Sequence, residues 1–327
     1  MSASDLTKAH KRFPTYQPDI HRQRSVGLEK GSRLVYGTSG LGGVWGKVDE
    51  EESIDCLLYA FERGVRSLDT SPSYSRSEEF VGKALQRWRG EQPFISTKVG
   101  RLPADKADEC YVDYSPESMR QSLMRSLDRL GVEQLDLLFL HEPHLVPLDK
   151  INEILDTVQS FKAEGYTRML GVGGNPPDAF FPFITSDHFQ VVSSFLRLDA
   201  CNLSALEKDI PHYQAHNIAL YAASALHMGL LGDLFERYAE HPPHTQWISD
   251  KDVEVAKRIN ILARAQGMPL ASLAQRYLFS MQEAHSVVIG ASKLAQIQAT
   301  LHDWQQGALS KELFELISQT ILNTRNL

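Results

Sequence analysis

Short apolar runs recur along the chain, and most of them end in a glycine or a polar residue. Runs of this length between turn-forming residues are typical of buried strands. Most of them are apolar at every position rather than at alternate positions, as in parallel strands that are covered on both faces. The pattern predicts eight strands, at residues 33–37, 64–69, 94–98, 135–140, 168–172, 190–193, 218–222 and 286–289.

Between most of these runs, apolar residues recur at the spacing of a one-faced helix. Ile54, Leu57 and Phe61, for example, stand at i, i+3 and i+7. Further helical segments are predicted at residues 251–265 and 270–279, in the long gap before the eighth strand.

Capping residues mark several of the predicted helix ends. Asp49, followed three residues later by Glu52, has the spacing of a capping box. Gly64 stands where a glycine commonly closes a helix. Ser77 is expected to be an N-cap, and Ser115 before a proline has the pattern of a cap followed by the first helical residue.

Eight strands that alternate with helical segments predict a closed (β/α)8 TIM barrel, an α/β fold, rather than an open sheet. The units share a pattern but no recurring residues, which argues against a repeat solenoid. We expect a single barrel domain over residues 25–327 with its active site at the carboxyl ends of the strands. Residues 1–24 lack periodicity and carry charges and prolines, so they are predicted to form an N-terminal tail or a surface-lying arm.

Composition and charge narrow the range of partners. The formal net charge of −7 gives no electrostatic case for binding nucleic acid or an anionic membrane, and no apolar run approaches the ~20 residues of a membrane span. The first residues lack the pattern of a signal peptide. Cys56, Cys110 and Cys201 stand far apart and outside any C-x-x-C. We therefore expect a cytoplasmic protein with ordinary thiols, no disulfide framework and no bound metal.

Four side chains suited to proton chemistry lie at or near consecutive strand ends. Asp69 ends the second predicted strand, Lys98 the third and His141 the fourth, while Tyr74 stands on the loop after the second. In a (β/α)8 barrel, catalytic groups come from these ends. Each residue alone is more often structural, and it is the coincidence of the four that indicates a site.

These residue types fit a proton-transfer site. A phenol has a pKa near ~10, so activity near neutral pH needs a neighbouring positive charge that favours the phenolate. Lys98 can supply that charge, and Asp69 can hold Lys98 as an ion pair. His141 can hydrogen-bond a substrate oxygen and share the proton transfer. The chain has no G-x-S-x-G nucleophile elbow, so covalent catalysis is not indicated.

With these motifs in view, the chain resembles the aldo-keto reductases over most of its length. The stretches that carry the resemblance are specific together, although each alone would be weak; they are residues 33–38, 68–74, 77–85, 96–100, 135–141 and 290–293. The resemblance implies a TIM barrel that binds NAD or NADP without a Rossmann domain. It also implies a catalytic tetrad of Asp69, Tyr74, Lys98 and His141. Tyr74 would act as the acid in carbonyl reduction and as the base in alcohol oxidation, while a hydride moves to or from the nicotinamide.

The resemblance further implies a set of cofactor contacts, on the first loop and after the later strands. They are Gly37, Thr38, Ser39, Asn175, Ser193, Ser224, Leu226, Gly290, Ser292, Lys293 and Gln296. Many members of the family stack an aromatic residue on the nicotinamide just after the seventh strand. Here residues 222–224 are Ala-Ala-Ser, which resembles the branch of sugar and pyridoxal dehydrogenases.

The stretch after the eighth strand bears on which nicotinamide cofactor is used. Members that prefer NADP carry basic residues there, and a 2′-phosphate pairs best with arginine or lysine. In this chain Ala291 and Gln296 fill two such places, Thr300 replaces the usual asparagine, and only Lys293 is basic. We therefore expect NAD to be favoured over NADP, with a small carbonyl or alcohol as substrate and sugars among the candidates.

Two other functions remain open at this point. A catalytically silent, NAD(P)-binding accessory subunit would keep the barrel without turnover, which the intact tetrad disfavours. A metal-dependent hydrolase would use His141 and Asp69, but no further ligands are evident. His212 and His216, four residues apart on a predicted helix, and the run 141–144 are weak metal patterns.

Overall fold

A computed structural model of the protein describes residues 12–24, 27–103, 106, 109–243 and 245–326. Within these ranges, eight parallel strands form a closed barrel in sequence order, and β8 pairs with β1. The strands are β1 Leu34–Gly37, β2 Ser67–Asp69, β3 Phe94–Val99, β4 Leu135–His141, β5 Thr167–Gly173, β6 Val191–Phe195, β7 Ala219–Ala223 and β8 Ser286–Gly290. The predicted (β/α)8 barrel is therefore confirmed.

Ten α-helices accompany these strands in the described part of the chain. They are α1 Glu50–Glu62, α2 Ser77–Arg87, α3 Pro116–Leu130, α4 Ile151–Ala163, α5 Asp209–Ala215, α6 Phe235–Glu240, α7 Asp250–Ala265, α8 Leu270–Phe279, α9 Leu294–Gln305 and α10 Lys311–Arg325. The connection from β5 to β6 carries a 3-10 helix, Asp178–Phe183. No helix in the described ranges has the length and apolar character that crossing a membrane requires.

Most of the predicted helix ends have the expected capping geometry. The Asp49 carboxylate accepts a hydrogen bond from the Glu52 amide at 2.9 Å, in the first turn of α1. Gly64 follows the last turn of α1 with a left-handed φ of 89°, which a glycine adopts without strain. Ser115 caps α3 by accepting from the Ser118 amide.

The expectation that Ser77 is an N-cap is wrong. Ser77 is the first residue of α2, and Arg76 occupies the cap position without a side-chain cap bond. The buried Ser77 hydroxyl instead lies 2.6 Å from the Thr38 hydroxyl and 3.0 Å from the Thr70 hydroxyl. It therefore links the first turn of α2 to the ends of β1 and β2.

The observed strand ends shift from the predicted ones where pairing or side-chain bonds decide them. β2 covers residues 67–69, because Leu68 and Asp69 pair with β1 and Ser67 pairs with Phe94 of β3. β6 continues two residues further than predicted, to Phe195. There the Asn175 side-chain oxygen accepts a hydrogen bond from the Phe195 amide at 3.1 Å.

Two apolar clusters separate the inside of the barrel from its outer layer. The larger one lies between the strands and the helices. The smaller one fills the barrel interior and consists of Leu28, Val35, Phe94, Leu137, Phe139, Met169, Val191, Ala219, Tyr221 and Val288. The Lys98 ammonium lies 5.6 Å from the centre of the Phe139 ring. The candidate site therefore stands directly on this packed interior.

The described part of the N-terminal segment, residues 12–24, packs against the amino-terminal end of the barrel. The Thr15 amide donates to the Glu283 carboxylate at 3.0 Å. The buried Arg24 guanidinium donates to the Ser67 hydroxyl at 3.0 Å and to the Tyr221 hydroxyl. The division into an arm at 1–24 and a domain at 25–327 stays a prediction, since residues 1–11 lie outside the described ranges.

Candidate active site

The strand register brings the predicted catalytic residues to one edge of the barrel. Asp69 pairs with Ser96 of the neighbouring strand β3, and Lys98 lies two residues further on the same face of β3. His141 is the last residue of β4, which is the next strand around the barrel. Tyr74 lies on the loop that follows β2.

A short ion pair forms the base of this group. The Lys98 Nζ atom lies 2.7 Å from Oδ2 of Asp69 and donates to the Thr70 carbonyl at 2.7 Å. The second carboxylate oxygen of Asp69 accepts from the Ser96 hydroxyl at 2.8 Å. Asp69 and Lys98 are only 5% and 3% exposed. The ammonium is therefore held in one position, away from bulk water.

The two aromatic residues lie beside this ammonium. The Lys98 Nζ atom is 4.8 Å from the centre of the Tyr74 ring. The Tyr74 and His141 rings are 6.3 Å apart and nearly perpendicular, at 88°. Tyr74 is half-buried, whereas His141 is 5% exposed. The structure thus brings all four predicted catalytic residues together around a partly open mouth.

Burial and charge act in opposite directions on the phenol. Burial raises the pKa of Tyr74, and this outweighs the Lys98 ammonium, which lowers it through its charge and a hydrogen bond. Burial is the largest effect on Lys98 and lowers its pKa, but Asp69 and Tyr74 together outweigh burial, so the pKa of Lys98 is raised. Tyr74 is therefore protonated and lies beside a permanently charged lysine.

His141 is neutral at physiological pH. Burial lowers its pKa well below the ordinary value, and the nearby charges of Lys98 and Arg101 lower it further. Among the residues that the structure describes, no hydrogen-bond partner reaches its buried Nδ1 atom. A neutral imidazole here can donate or accept one hydrogen bond at the mouth without adding a charge.

Beyond the weak metal pattern at 141–144, nothing in the sequence singles out Glu142, which lies next to His141. An oxygen of Glu142 is 3.7 Å from the His141 Nε2 atom, and it accepts from Arg101 at 2.8 Å. Glu142 has a left-handed φ of 58°, and the Tyr114 hydroxyl donates to its carbonyl at 2.9 Å. Such backbone conformations are rare for residues with a Cβ and cluster at functional sites.

Ser96 was also missed, although its spacing carried a signal. A residue two positions before an inward-facing strand lysine shares its face, so a serine there can reach the same partner. The Thr70 carbonyl had no such signal, because a backbone acceptor depends on the path of the loop.

The residues implied as cofactor contacts lie at the carboxyl ends of β5, β6, β7, β8 and β1 and just beyond them. These five strands are consecutive around the barrel, so the positions form one continuous half of the rim. The predicted catalytic group lies on the other half, at β2, β3 and β4.

Several of these side chains are already engaged within the protein. The Asn175 side-chain oxygen accepts from the Ser194 hydroxyl at 2.8 Å, and its nitrogen donates to the Phe195 carbonyl at 3.0 Å. The Thr38 hydroxyl is fully buried and donates to the Asp69 carbonyl at 3.1 Å. Thr38 therefore supports the catalytic half of the rim rather than offering its hydroxyl to a ligand.

After β8, Gln296 joins two parts of the rim. Its side-chain oxygen accepts from the Ser292 amide at 3.0 Å, and its nitrogen donates to Asp233 at 2.9 Å. Asp233 belongs to the connection after β7. Lys293 is exposed immediately before α9.

The rest of this half-rim suits a nicotinamide cofactor. Ser39, Asn175, Ser224, Leu226, Ser292 and Gln296 keep part of their surface accessible, and Gly290 and Lys293 are exposed. Among the described residues, the atom nearest to a Cβ added at Gly290 would be the Gly37 carbonyl oxygen, at 3.9 Å. Hydroxyl and amide donors, one lysine and the start of α9 offer the polar partners that a dinucleotide needs. The donor set and the open edge therefore fit such a ligand.

The weak metal patterns of the sequence have other partners in the fold. The His212 Nε2 atom lies 2.8 Å from the Ile184 carbonyl, and the His212 and His216 ring centres are 4.5 Å apart. In the run 141–144, the two histidines flank Glu142, whose carboxylate pairs with Arg101. A separate group of metal-type side chains, Asp199, Cys201 and His227, lies within 4.8 Å of one another away from this site.

Known proteins resemble this chain in sequence and in fold. The model of the Aldo/keto reductase family matches residues 33–321. An L-galactose dehydrogenase from Arabidopsis thaliana is 30% identical over 278 residues, covering 82% of this chain and 83% of the relative. A D-arabinose 1-dehydrogenase from Saccharomyces cerevisiae is 31% identical over 274 residues, covering 79% and 78%.

A solved structure shares the fold. The glycerol dehydrogenase of Gluconobacter oxydans superposes with a TM-score of 0.75 at 24% identity, over 94% of this chain and 96% of that one. The family match extends over nearly the whole barrel, and it includes every strand from β1 to β8. The chain therefore belongs to the aldo/keto reductase family, whose members are oxidoreductases that act on carbonyls and alcohols with nicotinamide cofactors.

Proposed function

We propose that the protein is an NAD(P)-dependent oxidoreductase that interconverts a carbonyl and an alcohol on a small, sugar-like substrate, with Tyr74 as the general acid and base. The observation that carries this proposal is the buried ammonium of Lys98, held by Asp69 at 2.7 Å and placed beside the Tyr74 ring. A positioned phenol next to a fixed charge is suited to move a proton at the mouth of the barrel.

In the direction of carbonyl reduction, Tyr74 donates its proton to the carbonyl oxygen as the oxygen gains negative charge. The Lys98 charge stabilises the phenolate that remains, which is the form that burial alone disfavours. Neutral His141 orients the same oxygen by a hydrogen bond. In the direction of oxidation, the phenolate removes the proton from the alcohol. A bound nicotinamide cofactor supplies or accepts the hydride.

The half-rim from β5 to β1 is the proposed place for that cofactor. Asn175 and Ser193 would lie nearest the catalytic half, since β5 and β6 follow β4 around the barrel. The opposite end of the cofactor would lie at the start of α9, near Ser292, Lys293 and Gln296. The accessible surfaces of Asn175, Ser292, Lys293 and Gln296 support this arrangement, whereas Ser193 is buried.

A preference for NAD is supported by the charges after β7 and β8. Lys293 is the one cation between residues 290 and 300. Gln296, in a position where a basic residue would bind a 2′-phosphate, instead donates to Asp233 at 2.9 Å. A carboxylate at this point suits ribose hydroxyls and repels a phosphate.

A polyhydroxylated substrate is supported by the polar surroundings of His141. The Arg101–Glu142 pair lies beside the proposed reacting oxygen and offers both donors and acceptors. Charged side chains at a pocket wall can hydrogen-bond hydroxyls, whereas an apolar group there would displace water without replacing its hydrogen bonds. Two relatives of similar length are named as dehydrogenases of sugars, which supports the same substrate class.

The test is a panel of aldoses, polyols and simple aldehydes or alcohols of matched chain length, assayed with NAD(H) and NADP(H). We expect turnover of at least one aldose or polyol, and a higher kcat/KM for it than for the matched unsubstituted compound. Quenching of NADH or NADPH fluorescence without turnover of any substrate would favour the silent accessory subunit instead. Preference for the unsubstituted compounds would contradict the sugar-like substrate.

A further inference from the structure

A second buried charge cluster lies outside the proposed catalytic site, and it holds the connection that follows β7. The His227 Nδ1 atom is 2.8 Å from Oδ2 of Asp199, and its Nε2 atom is 3.6 Å from Oδ2 of Asp252. Both His227 and Asp199 are at most 1% exposed. Arg325, near the end of α10, contacts the other oxygen of Asp252 and donates to the Cys201 carbonyl at 2.6 Å.

The cluster joins parts of the chain that are distant in sequence. Asp199 and Cys201 lie after β6, His227 lies after β7, Asp252 is in the first turn of α7 and Arg325 is near the end of α10. Two carboxylates face two cations, so the charges balance. Both acids also accept hydrogen bonds from other groups. Asp199 accepts from the amides of Cys201 and Asn202, and Asp252 accepts from Ser249.

The segment that His227 anchors is unusual in its backbone. Ser224, His227 and Met228 all have left-handed φ values, of 58°, 47° and 53°. None of them is glycine, so this conformation costs free energy at each position. The His227 amide donates to the Ser224 carbonyl at 2.8 Å, and the Leu231 amide donates to the Leu226 carbonyl at 3.0 Å. A fold that keeps three such residues within five positions needs a strong anchor.

The direction of the side chains connects this anchor to the proposed cofactor site. His227 points into the protein and is buried, whereas Ser224 and Leu226 on the same turn keep part of their surface accessible. Asp233, which binds Gln296, lies a few residues further along the same segment. A shift of His227 would therefore move residues on the cofactor half of the rim.

We propose that His227, held by Asp199 and Asp252, is a positioning residue that fixes the 224–233 segment in the shape that binds the nicotinamide cofactor. This inference rests on the proposed function. His227 contacts neither the cofactor nor the reacting atoms, and it acts through the segment that carries Ser224, Leu226 and Asp233. Removing it should weaken cofactor binding more than it slows the proton and hydride steps at saturating cofactor.

The charge state of His227 adds a second readout. Burial lowers its pKa, but the Asp199 and Asp252 carboxylates outweigh burial and raise the pKa to about 9. The other titratable groups around the cluster are Cys201, Arg325 and Tyr277 of α8. Burial, together with Asp199 and Asp252, raises the pKa of the Cys201 thiol well above its usual range. A histidine whose pKa is higher in the folded than in the unfolded protein stabilises the fold at pH values below its unfolded pKa. That contribution is lost as the pH rises through the folded pKa.

The experiment compares wild type, His227→Leu and His227→Asn, with His212→Asn as the matched control. His212 is a half-buried histidine that contacts a backbone carbonyl far from the rim. Asparagine at 227 keeps a donor near the Nδ1 position but carries no charge. The readouts are the dissociation constant for NADH from fluorescence titration, kcat at saturating cofactor, and amide hydrogen exchange of residues 224–233.

We expect His227→Leu to weaken NADH binding by about ten- to a hundred-fold, as for the loss of a charged hydrogen bond, with a smaller change in kcat. Exchange at the Leu231 amide should accelerate. Wild-type affinity should fall as the pH rises through about 9, and His227→Asn should lose that dependence. The His212 control should match wild type in all three readouts.

Binding by folded His227→Leu within two-fold of wild type would overturn the proposal. If that variant does not fold, an undiminished pH dependence in His227→Asn would overturn it. A metal bound stoichiometrically by Asp199, Cys201 and His227 after dialysis would also contradict the hydrogen-bonded cluster. If wild type binds neither NADH nor NADPH, the proposed function fails; unchanged exchange of 224–233 in the variants would then refute the anchor separately.

Discussion

At the scale of single residues, one side chain connects the acid, the phenol and the barrel interior. The Lys98 Nζ atom lies 2.7 Å from Asp69 and 4.8 Å from the Tyr74 ring centre, and it lies over the Phe139 ring. A buried ammonium is costly unless it is paired. The Asp69 carboxylate and the Thr70 carbonyl satisfy it, so the charge remains available to act on Tyr74.

Replacing Lys98 by methionine should raise the apparent pKa of alcohol oxidation and slow that reaction by ~10²–10⁴-fold. The reason is that the ammonium lowers the pKa of Tyr74, which burial raises. The measurement is a pH–rate profile of both proteins. Lys30→Met is the matched control, because Lys30 pairs with Asp136 at 2.9 Å at the opposite end of the barrel. An apparent pKa that does not move in Lys98→Met would show that another group perturbs the phenol.

The positions of the tetrad could be predicted because they depend on strand ends. Asp69, Lys98 and His141 each end a run that reads as a buried strand, and adjacent parallel strands share an edge. Glu142 could not be predicted, because its place depends on a left-handed turn that a glutamate rarely adopts. The sequence also could not predict that Tyr74 stays protonated. This depends on how far burial, which raises the pKa of Tyr74, outweighs the Lys98 charge, which lowers it.

At the scale of elements, helix starts were predicted well where the cap is solvent-facing and local. Asp49 and Ser115 bond amides within their own first turns. The prediction of Ser77 as an N-cap was wrong because its hydroxyl hydrogen-bonds with two buried residues outside α2, Thr38 and Thr70. No local sequence pattern reveals these partners. The same holds for β6, whose extension to Phe195 depends on Asn175 of the preceding connection.

The start of α9 and the connection after β7 together should determine the choice of cofactor. We expect NAD to bind more tightly than NADP, because Lys293 faces a 2′-phosphate alone while Asp233 bonds Gln296 nearby. Asp233→Asn should then improve NADP binding selectively, since it removes a repulsive charge. Separate fluorescence titrations with the reduced cofactors measure this, with exposed Asp187→Asn as the control. A dissociation constant for NADP more than ten-fold below that for NAD would refute the preference.

At the scale of the whole molecule, the barrel is chemically divided between its two ends. The carboxyl ends of the strands carry the proposed site, while the amino ends are closed by the described part of the N-terminal segment. Arg24 lies between the Phe94 and Tyr221 rings and bonds the Ser67 hydroxyl at 3.0 Å. The division implies that stability and activity can be changed separately.

Replacing Arg24 by methionine should lower the free energy of unfolding by ~1–3 kcal/mol, because Tyr221 and Ser67 lose a buried hydrogen-bond donor. Activity per folded molecule should stay the same, since Arg24 lies at the end opposite the tetrad. Thermal and denaturant unfolding measure the first effect, and initial rates measure the second. Arg12→Met, at an exposed position of the same segment, is the control. Equal stability of the two variants would show that the guanidinium does not support the barrel.

The central claim is that Tyr74 transfers the proton in a carbonyl–alcohol interconversion. The most direct test measures turnover and cofactor binding of wild type and Tyr74→Phe with the best substrate of the panel. Phenylalanine keeps the ring beside Lys98 and His141 and removes only the hydroxyl. We predict that kcat falls by at least ~10²-fold while the dissociation constant for the cofactor changes less than three-fold. Activity within a few-fold of wild type would contradict the claim.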